Sequence, residues 1–125
     1  MSRKKGPRFY RTTKDANHWT SEATALLQEY PDVVDSYHVK MDRDAGTKIL
    51  AFGLRMPDGS VAPVQLSPDV EGIEKRLEED GVTTRQGPAA VAWAQLYHLL
   101  ELQLEAVASG AARAAEVFGG AVFTT

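Results

Sequence analysis

At 125 residues, with 43 % hydrophobic and 25 % charged side chains, the chain is sized for one folded domain and lies far from the low-apolar, high-charge composition of disordered segments. It has no cysteine, which excludes disulfides, thiol nucleophiles and thiolate metal sites. The formal net charge of −3 hides an asymmetry: residues 1–19 hold six of the 14 basic residues and one of the 17 acids, which puts +5 there and −8 on the other 106.

The opening, MSRKKGPRFYRTT, is basic but leads into no apolar run and no small-residue cleavage pattern, so no secretory signal is expected. Residues 1–7 read as a flexible basic arm. Arg8 to Thr13, rich in aromatic and β-branched residues after Gly6-Pro7, reads either as a short first strand or as a continuation of that arm. Asp15-Ala16-Asn17 is turn chemistry, and Thr20 is placed to cap a helix whose apolar face is Ala23, Leu26, Leu27 and Tyr30, ended by Pro31.

From Val34 to Met41, Tyr37, Val39 and Met41 alternate with His38, Lys40 and Asp42, the period of a half-buried strand. After the loop Asp42 to Gly46, Lys48 to Met56 alternates again, with Leu50, Phe52, Leu54 and Met56 on one side. Pro57-Asp58-Gly59-Ser60 is a tight turn, so Val61 to Leu66 should return antiparallel, and Pro63, which has no N–H, puts that strand at an edge or a bulge.

Ser67-Pro68 has the order of an N-cap and a first helical residue, with Val70, Ile73 and Leu77 on one face as far as Gly81. Glu78-Glu79-Asp80 at its end reads as a solvated acidic face. After the polar connector Gly81 to Gly87, Pro88 to Ser109 carries only two formal charges, Glu101 and Glu105. On a helical wheel Gln95, His98, Glu101, Glu105 and Ser109 fall within about 60° of His98, leaving roughly 240° of Ala, Val, Leu, Trp and Tyr. A helix of about 33 Å with so wide an apolar arc must lie across its own sheet, against a copy of itself, or both. The longest charge-free run, Gln86 to Leu100, is too short to cross a bilayer, and extending it to about 20 residues brings in Glu101 and Glu105 at roughly 2 to 3 kcal/mol each, so a membrane span is rejected. Gly110 stops it, Ala111 to Phe118 offers one more short helix, and 119–125 is a tail.

The expected architecture is a single α+β domain over 1–125: an antiparallel three- to four-stranded sheet covered by helices (β-α-β-β-β-α-α), with the long apolar C-terminal helix as principal cover. Trp93, Tyr97, Leu100 and Leu104 recur at helical spacing as core or interface residues, while Leu99, Leu102 and Ala106 line another sector of the same helix. If one sector covers the sheet, the other needs a mate.

Signs of catalysis are missing from the sequence, which has no nucleophile elbow and no phosphate-cradling glycine loop. Its three histidines carry no cue that they converge. His98, Glu101 and Glu105 share a stripe with the spacing of a carboxylate-bridged metal pair, yet lack the second Glu-and-His helix such a pair needs. They read instead as a solvated seam pairing with Arg85, Arg113 or a neighbouring subunit, and neither metal nor cofactor is expected. Arg3, Lys4, Lys5, Arg8 and Arg11, interleaved with Phe9 and Tyr10, could neutralise phosphates while the rings stack on bases.

Ala90 to Phe118, AVAWAQLYHLLELQLEAVASGAARAAEVF, resembles the C-terminal segment of small uncharacterised proteins encoded by phages and prophages, in which a Trp-containing helix with a Gln-Leu pair ends at Gly and leads into a short Glu-Val-Phe helix. FYRTT and MPDGSVAPVQLSP are similar to the corresponding parts of that group, so the resemblance spans roughly residues 8–118, while the tail GGAVFTT departs from it. It implies no catalytic or ligand residue. The expectation is a non-enzymatic, phage-related protein of the cytoplasm, the host's if phage-encoded, that binds another protein or its own copies. The alternative is a nucleic-acid-binding accessory factor of phage DNA metabolism acting through the basic arm.

Overall fold

A computed structural model describes residues 6–42 and 47–119. The fold is α+β. Helix α1 (Ala16–Gln28) precedes a meander of β1 (Val34–Asp42), β2 (Thr47–Arg55) and β3 (Val61–Leu66), which is followed by α2 (Val70–Asp80), α3 (Pro88–Ala108) and α4 (Ala114–Phe118). The chain packs as two compact units, one formed by residues before 23 together with 68–98, the other by 23–67 together with residues from 99 onward. Helices α1 and α3 each give their N-terminal part to the first unit and their C-terminal part to the second.

In the second unit the strands pair antiparallel in the order β1-β2-β3, the three-stranded form of the expected sheet. Register sets Phe52 opposite Tyr37 and Val64, and Leu50 opposite Val39 and Leu66, so the alternation read from sequence becomes one apolar face. Leu50, Phe52, Leu54 and Val64 are at most 3 % exposed on that face. Phe118 of α4 meets Phe52 edge to face at 5.6 Å, and Gln28 of α1 donates to the Tyr37 hydroxyl. Pro63 lies on an edge strand, as its missing N–H requires. In the turn before β3, the Ser60 hydroxyl and amide both donate to Asp58 and hold its carboxyl below the usual carboxylate range.

Gly53, opposite Pro63 on the central strand, leaves room for its neighbours: a Cβ there would come within 2.6 Å of Val61 Cγ1. Gly53→Ala should therefore cost about 1 kcal/mol more in the native chain than in a Val61→Ala background, a coupling that urea denaturation of the four members of the cycle would measure. Equal costs in both backgrounds would show that Val61 rotates away freely.

Three local expectations are corrected. Residues 8–13 form successive turns instead of a strand, with Tyr10 N donating to Pro7 O at 3.1 Å and Thr12 N to Phe9 O at 3.0 Å. Phe9 takes φ 69°, a left-handed conformation that no strand accommodates. Helix α1 begins four residues before Thr20, because Asp15 Oδ1 accepts from His18 N at 2.8 Å and acts as the cap. Thr20 turns inward and donates to Ala16 O at 2.8 Å. Likewise α2 is capped by Asp69, which accepts from Gly72 N, and starts after Ser67-Pro68. The stops fall where expected, with Gly81 (φ 65°) and Gly110 (φ 81°) in the left-handed conformation that ends a helix cheaply only at glycine.

Candidate functional site

Helix α3 carries most of the residues singled out by the sequence, and its two sectors have different fates. Trp93 is 2 % exposed in the first unit, and Leu100 and Leu104 are fully buried in the second, so these three are core. Tyr97 is half-buried against the Trp19 ring at 5.6 Å. The other sector stays open: Leu99 is 52 % and Leu102 70 % exposed. On the helical wheel Leu102 lies about 40° from His98, inside the polar arc, which explains why folding leaves it in water. In the same unit Val39 and Met41, on the edge strand β1, are 39 % and 57 % exposed.

The His98, Glu101 and Glu105 stripe is divided among other tasks. His98 stacks face to face on Phe9, with ring centres 4.3 Å apart, and approaches Trp19 at 5.6 Å. Glu105 accepts from the Tyr30 hydroxyl at 3.0 Å; burial, and then the Glu105 carboxylate, push that phenol above its usual pKa. Arg113 faces Glu116 at 4.0 Å and not the stripe. Among the described residues no group of three or more histidines and carboxylates is placed to hold a metal ion.

Of the basic candidates, Arg3, Lys4 and Lys5 lie outside the described residues. Arg8 and Arg11 are exposed, each with its guanidinium over a neighbouring ring: Arg8 is 5.7 Å from the centre of Phe9 and Arg11 is 5.3 Å from that of Tyr10. Phe9, the first ring that would stack on a base, faces His98 instead. Gln95 Nε2 donates to Arg8 O at 2.9 Å and Trp19 Nε1 to Thr12 Oγ1 at 3.1 Å, so the turns of 7–13 are pinned to helices of their own unit.

Two features escaped the sequence. The Asp80 side chain, expected in a solvated acidic face with Glu78 and Glu79, is only 2 % exposed and accepts from both Arg76 Nε at 2.7 Å and Gly6 N at 2.9 Å. The Arg76 to Asp80 spacing of four was the available signal. Arg85, in the polar connector, comes to the same cleft as Arg11. No helix among the described residues is long and apolar enough to cross a membrane. No family model, curated protein or solved structure matches the chain.

Proposed function

We propose that the protein acts by binding, through association of α3 with a second copy of itself, and not by catalysis. The observation that carries this is the exposure of Leu102 and Leu99 in the sector that Leu100 and Leu104 leave uncovered. Leu99, Leu102 and Ala106 follow the i, i+3, i+7 spacing of a helix-pairing seam. A second copy offers that seam automatically, since a two-fold contact sets one patch against its own duplicate. Val39 and Met41 supply further apolar surface in the same unit. A contact this small should be weak, on the order of micromolar. The phage-related origin implied by the resemblance, and the cytoplasmic setting expected of a chain without cysteine, belong to this reading.

Size exclusion with light scattering should give a mass above 13.6 kDa at high protein concentration, and Leu102→Glu should return it to 13.6 kDa with an unchanged circular dichroism spectrum. Because Glu101 and Glu105 rim the patch and the net charge is −3, raising salt from about 0.05 to about 0.5 M should strengthen association by screening like charges. A native chain that stays monomeric throughout would end this reading.

A further inference from the structure

The first unit contains a cleft whose walls are two segments distant in sequence. One wall is the turn segment at Tyr10, Arg11 and Thr13; the other is the connector at Val82, Thr83 and Arg85. Two cross-links hold the walls together. Gly6 N donates to the Asp80 carboxylate at 2.9 Å, and Gln86 Nε2 donates to Thr13 O at 3.2 Å. The connector is braced from within, since Val82 N donates to Leu77 O at 3.1 Å and Gly87 N to Thr84 Oγ1 at 2.8 Å. The cavity measures about 630 Å³ and opens to solvent, within the size range of small-ligand sites.

Among the described residues its lining brings together two arginines, two threonines and a tyrosine, and no acidic residue. Two like charges sharing one recess repel each other, and an anion between them turns that repulsion into attraction. Arg11 is already oriented: its Nε donates to Tyr10 Oη at 2.8 Å while its guanidinium lies 5.3 Å from the ring centre. The terminal nitrogens of that fixed fork are the donors suited to a tetrahedral oxyanion, and little side-chain freedom remains to be lost when they engage it. A carboxylate presents two oxygens; a phosphate ester presents enough to engage Arg11, Arg85 and a hydroxyl together.

We infer that this cleft is a binding site for a phosphate ester, the group common to a free nucleotide and to the backbone of a single-stranded nucleic acid. The site lies outside the α3 seam and is independent of self-association.

The test is titration of the full-length protein, followed by tryptophan fluorescence and calorimetry, with three probes: inorganic phosphate, adenosine 5′-monophosphate, and a twelve-residue oligothymidylate without terminal phosphate. Arg11→Ala and Arg85→Ala, both at exposed side chains, should each weaken binding about tenfold or more, and Arg85→Lys should recover part of the loss. Lys75→Ala, an exposed cation on α2, should change nothing beyond a small general effect. Saturable binding of the monophosphate, displaced by inorganic phosphate, assigns the site to free nucleotides. Binding of the oligothymidylate alone, falling with salt, assigns it to a strand backbone. Equal affinities for Arg85→Ala and Lys75→Ala, or no saturable binding of any probe at about 10 mM, would overturn the inference.

Discussion

Phe118→Ala should cost about 3 to 5 kcal/mol in global stability, a large share of the roughly 5 to 15 kcal/mol that holds a domain of this size folded. Phe118 is 1 % exposed and stands edge-on to Phe52, itself 3 % exposed on the central strand. It ends a helix of five residues whose cap position, Arg113, makes no side-chain capping bond. So short a helix does not persist on its own, and its order comes from burying Ala114 and Phe118, four apart on one face. Truncating the ring removes the apolar transfer, the aromatic pair and the anchor of α4 in one step. Phe118→Leu keeps most of the volume and should cost less than about 2 kcal/mol. Urea denaturation followed by tryptophan fluorescence measures both. A loss under 1 kcal/mol for the alanine variant would mean that α4 can leave while the sheet stays intact.

The elements that were legible in the sequence are those whose patterns repeat over several turns or pleats. Leu50, Phe52 and Leu54 alternate through a strand, and the long, largely apolar run between Pro88 and Gly110, with only two formal charges, favours a helix, which satisfies its backbone while buried. Single-residue decisions were harder. Asp15 and Thr20 are both good caps, and the choice of Asp15 depends on which residue points inward once α1 docks. Leu102 is apolar by type yet polar by position, and position decides its exposure. The cleft was illegible for another reason. Arg11 and Arg85 are brought to it by hydrogen bonds between residues 74 and 73 apart in sequence, and no local window contains such a pairing.

The Gly6 to Asp80 cross-link supports the second large effect, a loss of about 2 to 4 kcal/mol on Asp80→Ala. With its side chain only 2 % exposed, Asp80 has given up most of its hydration, and one oxygen receives both Arg76 Nε at 2.7 Å and Gly6 N at 2.9 Å. Removing the carboxylate leaves both donors without that acceptor. Arg76, 35 % exposed at its side chain, can turn to water, whereas the Gly6 amide belongs to a buried residue. The penalty therefore falls on the turn segment more than on α2, whose Gly81 cap stays in place. Asp80→Asn keeps a neutral acceptor for Gly6 N but gives up the charge facing Arg76, and should lose about half as much. Hydrogen exchange separates the two contributions. In Asp80→Ala the amides of Tyr10 and Thr12, which close the turns on Pro7 and Phe9, should lose protection well before those of β2. Uniform loss of protection would instead make Asp80 a support of the whole fold, and unchanged protection at Tyr10 and Thr12 would show that the Gln95, Gln86 and Trp19 contacts hold the segment without it.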